Sequence, residues 1–225
     1  MQKKSEKVRC VVVGGAEIDD YATIQAYLQP TDYIIYCDSG LSHRESLHLT
    51  PDLIVGDFDS YPVPNQTGGA ALPDVETIVL PREKDDTDTV FAVKEGIRRG
   101  FDDFLLIGVV GGRLDHTLGN VSILLYLDSV GKSGTIVDDY SEMEIVAKKP
   151  AFIPERYAFF SLLNVTGDAS GVNIRGAKYP LDNAEITSEY QYGISNEVLP
   201  GKVAEVSVAS GKLLLIKVRV NTYVR

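Results

Sequence analysis

Short β-branched runs alternate with longer amphipathic stretches from the amino terminus to about Asp139, and this alternation admits few architectures. The runs read VRCVVVGG, DYIIYCDSG, PDLIVGDFDS, ETIVLPREKDD, DDFLLIGVVGGRLD and GTIVDD. Such a series is the pattern of an α/β domain built on a mostly parallel sheet. Between the runs, DDYATIQAYLQ and TDTVFAVKEGIRRG carry apolar residues at helical spacing. In the second, Val90, Val93 and Ile97 share a face and Gly100 supplies the stop. HTLGNVSILLYLDSVG predicts another helix, more fully buried.

Around AKKPAFIPERY the texture changes: two prolines, no helical period, then mainly strand signals. The boundary is expected near Lys149, dividing the chain into 1–149 and 150–225. YAFFSLLNV, VNIRGAKYPL, AEITSEY and VAEVSVASGKLLLIKVRV predict a smaller antiparallel, β-sandwich-like domain. Its last two strands are expected to pair through a Ser210-Gly211 turn, with Leu214, Ile216, Val218 and Val220 on one face and Lys217 and Arg219 on the other.

A net charge of −10 argues against a general nucleic-acid or anionic-membrane surface, since both partners select basic patches. The two cysteines, Cys10 and Cys37, sit at the edges of apolar runs, as suits buried, reduced thiols in a cytoplasmic protein. The run around Val11–Val13 is too short for a signal peptide, and no uninterrupted apolar run approaches the ~20 residues that span a bilayer. A soluble protein is expected.

The acidic residues follow the strands. Asp38 comes after YIIYC, Asp57 and Asp59 after DLIV, Asp85, Asp86 and Asp88 after TIVL, and Asp115 after LLIGVV. Ligands of open parallel sheets bind outside the carboxyl ends of the strands, so these residues gather along one edge. In an extended loop Asp57 and Asp59 point to one side, and Asp85 and Asp88 share a face of a first helical turn. Crowded carboxylates repel unless a cation intervenes, and Mg²⁺ prefers hard oxygen ligands together with phosphates. Helix capping is the competing account for any single aspartate: Asp85 or Asp86 before one helix, Asp115 before the next. An EF-hand is excluded, because DFDSYP lacks the third acidic position, the central glycine and the terminal glutamate.

Gly111 and Gly112 in VVGGRLDH bring backbone amides to a strand end, and Arg113 offers a fork for phosphate oxygens; Gly14 and Gly15 occupy a similar place. Neither segment is a Walker A loop. Arg82 and Lys84 precede the acidic triplet and can meet phosphates or the neighbouring aspartates. His116 stands beside Asp115, where a capping-region role competes with proton transfer, while His43 and His48 have no zinc-like partners. No nucleophile elbow or Cys/His pair occurs, which leaves metal-assisted transfer as the chemistry.

In order and spacing, DSG at Asp38, PDLIVGDFDS, KDDTDT and GGRLDHTLGN, then GVNIRGAKYPLDNAEI and GISNE, resemble the thiamine pyrophosphokinase family over nearly the whole chain. The resemblance implies an α/β protein with an N-terminal Rossmann-like, mostly parallel sheet domain that binds ATP and Mg²⁺. A C-terminal antiparallel β-sandwich domain follows, for thiamine and dimerisation. It implies a homodimer that moves the diphosphate of ATP onto thiamine and releases AMP. On this basis Asp57, Asp59, Asp85, Asp88 and Asp115 hold Mg²⁺, with Asp59, Asp88, Arg113 and Asp115 catalytic. Asp38, Gly111, Gly112, Arg113 and His116 lie on the nucleotide side, and Ser195 and Asn196 contact thiamine's pyrimidine. Two departures bear on the acceptor: Asp38-Ser39-Gly40-Leu41-Ser42 replaces aspartate-glycine-glycine-alanine-asparagine, and the chain has no tryptophan for stacking, a place that Tyr190 or Tyr192 would fill. A diphosphokinase for another primary alcohol such as a hydroxymethylpterin, a metal-dependent nucleotide hydrolase and a non-catalytic sensor are the alternatives.

Overall fold

The apolar runs become six strands: β1 (Arg9–Val13), β2 (Asp32–Cys37), β3 (Leu53–Gly56), β4 (Glu76–Val79), β5 (Asp103–Ile107) and β6 (Ser133–Val137). The computed structural model describes residues 9–59, 72, 75–83 and 85–219. The six strands lie in the order β4-β3-β2-β1-β5-β6, and all five neighbouring pairs are parallel. Helices α1 (Tyr21–Gln25), α2 (Arg44–Leu47), α3 (Asp88–Arg98) and α4 (Leu114–Ser129) connect them, with a 3₁₀ segment, Asp38–His43, leading into α2.

Side chains alternate across the sheet. Val11, Val13, Ile34, Tyr36, Ile54, Leu105 and Ile107 pack with Ile24 of α1 and Leu47 of α2. Cys10 and Phe104 point to the other face, where α3 comes so close that a Cβ on Gly96 would lie 2.6 Å from the Phe104 ring. Helix α3 runs as the spacing predicts. The Thr87 side chain accepts from the Val90 amide at its start, and Gly100, at φ +94°, ends it with bonds back to Ile97 and from Phe101 to Gly96. Helix α4 is less buried than expected. It inserts Asn120, Ile123, Leu124 and Leu127 but leaves Leu114 and Leu118 exposed, as a one-sided helix does.

From β1 the chain steps outward through β2, β3 and β4, then returns to β5 on the other side of β1. The strand order reverses between β1 and β5. That reversal opens a crevice at their carboxyl ends, where loops diverge to opposite faces.

The compact units are Met1–Asp139 and Tyr140–Arg225, so the division falls ahead of the expected boundary at Lys149. The reason is β7 (Ser141–Val146), which pairs with a strand near the carboxyl terminus; its alternating Glu142 and Glu144 hide the strand signal. The second unit continues through β8 (Ala151–Pro154), β9 (Phe159–Asn164), β10 (Ala169–Arg175), β11 (Leu181–Ile186), β12 (Val203–Ser207) and β13 (Leu213–Val218). β13 lies between β7 and β9, and a separate sheet runs β11-β10-β12-β8, all antiparallel. Phe160, Leu162, Leu213 and Leu215 from the first set meet Ile153, Val172, Ile174, Ala204 and Val206 from the second in one core, which makes a sandwich.

The expected hairpin of the last two strands is not formed. β12 and β13 belong to different sheets, and the chain crosses between them at Ser210-Gly211, where Gly211 (φ +89°) passes so near Asp168 and Ala169 that no Cβ fits. Lys217 does alternate with Ile216 and Val218, but its face is buried: the ammonium is 6 % exposed, bonded to Glu142 and, at 2.8 Å, to Glu144. Val220 lies outside the described residues.

Candidate active site

Adjacent ends of β2 and β3 bring Asp38, Asp57 and Asp59 together, each offering a carboxylate oxygen within 4.8 Å of the others. The approach depends on local backbone. Asp38 opens its 3₁₀ segment at φ +32°, and a Cβ on Gly56 would come within 3.0 Å of the Asp38 Cβ. Asp57 and Asp59 do not lie on an extended loop as expected. Phe58 takes φ +56°, and the Asp59 amide donates to Asp57 Oδ1 at 3.3 Å, so a tight turn sets the two side by side. Two non-glycine residues in the left-handed region so close together are a strain that the surrounding fold must hold, each costing on the order of 1 kcal/mol.

Asp38 is the buried member, 7 % exposed, and its Oδ1 has no hydrogen-bond partner among the described residues. Burial above all, then the charges of Asp88, Asp59 and Asp57, push its carboxyl up to about 6 against the helping Ser39 amide. Asp88, first residue of α3, thus faces the same group from the third strand's connection. Capping there belongs to Thr87 rather than to Asp85 or Asp86: Asp86 pairs with Lys94 at 2.6 Å, and Asp85 is exposed and outside the carboxylate group. Arg82 is exposed, and Lys84 lies outside the described residues.

Asp115 stands apart from the three carboxylates. It follows β5, two strand positions from β2, which is roughly 10 Å of sheet. It grips Arg113 instead, Nε to Oδ1 at 3.0 Å and Nη2 to Oδ2 at 2.6 Å, and the guanidinium with the His116 amide holds the Asp115 carboxyl well below the usual range. Asp115 occupies the first turn of α4 without capping it.

The crevice between β1 and β5 is a cavity of about 430 Å³ whose walls include Gly14, Gly15, Gly111, Gly112, Arg113 and His116. Glycine is obligatory at Gly14 and Gly15, where a Cβ would sit 2.5 Å from the Gly108 carbonyl and 1.9 Å from Ser39 Oγ. The Gly111 amide is already engaged by Thr117 Oγ1 at 3.1 Å, and the Asn120 amide group donates to the Val109 carbonyl at 2.7 Å, so both polar side chains shape the loop. Ser39 and Thr89 also line the cavity, one residue beyond Asp38 and Asp88, and join the carboxylate group to its wall. Sequence reading passed over Ser39, Thr89, Thr117 and Asn120; the available signal was a hydroxyl directly after each acidic strand-end residue.

Ser195 and Asn196 belong to the second unit. Ser195 is exposed at φ +58°, its amide donating to Ser161 Oγ at 3.0 Å. Asn196 is 4 % exposed: its oxygen accepts from the amides of Tyr179 and Glu197, and its nitrogen donates to the Tyr179 carbonyl at 2.7 Å. The Asn196 side chain therefore fastens a loop. Tyr190 and Tyr192, ring centroids 5.7 Å apart, are both exposed. Among the described residues no helix is long and apolar enough to cross a membrane.

Residues 24–135 match the model of the thiamin pyrophosphokinase catalytic domain, and residues 146–213 that of the thiamin pyrophosphokinase vitamin B1 binding domain. The thiamine pyrophosphokinase of Bacillus subtilis (strain 168) is 26 % identical over 209 residues, covering 92 % of this chain and 96 % of that protein. A crystal structure of the Bacillus subtilis thiamine pyrophosphokinase superposes with a TM-score of 0.83 at 23 % identity, covering 95 % of this chain and all of that one. The thiamin pyrophosphokinase structure from Geobacillus thermodenitrificans gives 0.80 at 26 % identity, with 96 % and 99 % covered.

Proposed function

Because the chain belongs to the thiamin pyrophosphokinase family and is an enzyme of that type, we propose that it transfers the diphosphate of ATP to the hydroxyl of thiamine, with Mg²⁺, forming thiamine diphosphate and AMP. The supporting observation is the meeting of Asp38, Asp57 and Asp59 beside a glycine-walled cavity at the strand ends. The fit to a hard dication rests on Asp38, whose buried, unbonded oxygen and raised carboxyl pKa describe a group awaiting positive charge. Asp38, Asp57 and Asp59 would hold Mg²⁺, with Asp85, Asp88 and Asp115 able to take its waters, and the ion would neutralise phosphate charge.

The chain's own groups position and stabilise. Glycine backbone at Gly14, Gly15 and Gly112 lets phosphates approach, and Arg113 exchanges its hold on Asp115 for phosphate oxygens as negative charge develops. The thiamine hydroxyl oxygen attacks the β phosphorus in line. One O–P bond forms, the bond from that phosphorus to the bridging α oxygen breaks, and AMP leaves with the electron pair. The hydroxyl proton passes to a carboxylate, Asp59 or Asp115. His116 lies on the nucleotide side, and Ser195 and Asn196 with their loop contact the pyrimidine. A homodimer is the expected assembly, and the buried free thiols of Cys10 and Cys37 suit the cytoplasm.

The test is AMP formation from ATP and Mg²⁺ with a panel of alcohols. AMP should appear only with thiamine, in step with thiamine diphosphate, and Asp59→Asn should abolish it. AMP without an acceptor would instead identify a hydrolase, AMP with a hydroxymethylpterin another diphosphokinase, and ATP binding without turnover a sensor.

A further inference from the structure

His43 lies outside every motif assigned above, yet it is buried, 6 % exposed, and bonded at both ring nitrogens. Nε2 stands 3.0 Å from the Ala16 carbonyl, and Nδ1 is 2.8 Å from the Tyr21 hydroxyl. A carbonyl oxygen only accepts, so Nε2 carries the proton; Nδ1 of the neutral ring then accepts from Tyr21. Burial lowers the pKa of His43, opposed by its bond to Ala16, and so favours that neutral form. The imidazole therefore spans the loop that follows β1, joining its middle at Ala16 to the start of α1 at Tyr21.

That loop is one wall of the anion cavity, through Gly14, Gly15, Ala16 and Glu17. Its first part is tied to β5 by backbone bonds from Gly14 to Ile107 and from Ala16 to Gly108. Its far part is held by Asp139, whose two oxygens accept from the Asp19 and Asp20 amides at 3.0 Å each. Between these anchors the Ala16 carbonyl has His43 as its side-chain tether. The loop's glycine positions leave no side chain of its own to set its shape, so the setting must come from outside.

We propose that His43 is a positioning residue for the phosphate cavity, fixing through Ala16 and Tyr21 the loop whose backbone faces the nucleotide. The inference rests on the reading of that cavity as the ATP site. His43 touches no substrate in this role; it lowers the cost of ordering the loop when ATP binds, and its loss weakens ATP without changing thiamine recognition.

Amide hydrogen exchange across residues 14–21 of the free protein tests the tether, and calorimetric titration with ATP and Mg²⁺ tests its use. His43→Leu should speed exchange in this segment and raise the ATP dissociation constant about five- to tenfold, the effect of losing one or two hydrogen bonds. Tyr21→Phe, which keeps the bond to Ala16, should give a smaller rise, and His43→Gln, which keeps a donor near Nε2, should recover most of the affinity. The thiamine KM should stay within about twofold throughout. Unchanged exchange in both His43→Leu and Tyr21→Phe would overturn the tether. Faster exchange with unchanged ATP affinity, or an equal loss toward thiamine, would overturn its role. If the unaltered protein made no AMP with thiamine, the proposed function would fail, while the exchange result would still decide whether His43 holds the loop.

Discussion

Replacing Asp38 by asparagine should stabilise the metal-free protein while destroying its activity. Asp38 is 7 % exposed, and its carboxyl is displaced from 3.8 to about 6, chiefly by burial and then by Asp88, Asp59 and Asp57. A raised acid pKa in the fold is a penalty for ionisation. It is absent below 3.8, where both folded and unfolded chains hold the proton, grows between 3.8 and about 6, and is complete above that. The displacement corresponds to about 3 kcal/mol, an upper limit for the gain, because the asparagine must also find a partner for its new N–H₂. A gain of about 1–3 kcal/mol at pH 8, or about 3–8 °C in thermal midpoint, is expected in EDTA, shrinking toward zero near pH 4. Mg²⁺ should raise the midpoint of the unaltered protein and not of the variant, because a ligand stabilises only the state that binds it. Melting curves across this pH range decide the matter. Equal or lower stability of the variant at pH 8, or a difference that ignores pH, would refute the reasoning.

Arg113→Lys keeps the charge but loses the two-pronged contact; kcat should fall about a hundredfold with an unchanged thermal midpoint, because the pair with Asp115 is exposed. Lys217→Ala removes the cation between Glu142 and Glu144 in the sandwich and should cost about 3 kcal/mol in urea denaturation, much of it restored by pairing Lys217→Met with Glu142→Gln. Asn196→Ala loses three bonds that fasten its loop to Tyr179 and Glu197, and should raise the thiamine KM several-fold while leaving that of ATP unchanged.

The parallel sheet was legible because its strands are buried on both faces and read as continuous apolar runs, and α3 because its apolar spacing, Thr87 start and Gly100 stop all agree. The strand-end aspartates were legible for the same reason: once the strands are placed, the carboxyl edge follows. What hid was set by tertiary neighbours. β7 looks polar until Lys217 is seen beside Glu142 and Glu144, and Ser210-Gly211 has the composition of a hairpin although the strands it joins belong to opposite layers. Within the site, sequence grouped Asp115 with the other aspartates because all follow strands; strand order separates them, since β1 intervenes between β2 and β5. His43 gave no signal at all, because its partners are a backbone carbonyl and a tyrosine hydroxyl twenty or more residues away.

The most direct test of the central claim is the fate of the terminal phosphate of ATP labelled at the γ position. Incubated with the protein, Mg²⁺ and thiamine, the label should appear in thiamine diphosphate, one for each AMP formed, with none in free phosphate. Label in inorganic phosphate or diphosphate, or thiamine monophosphate formed alongside ADP, would contradict a single transfer of the diphosphate group.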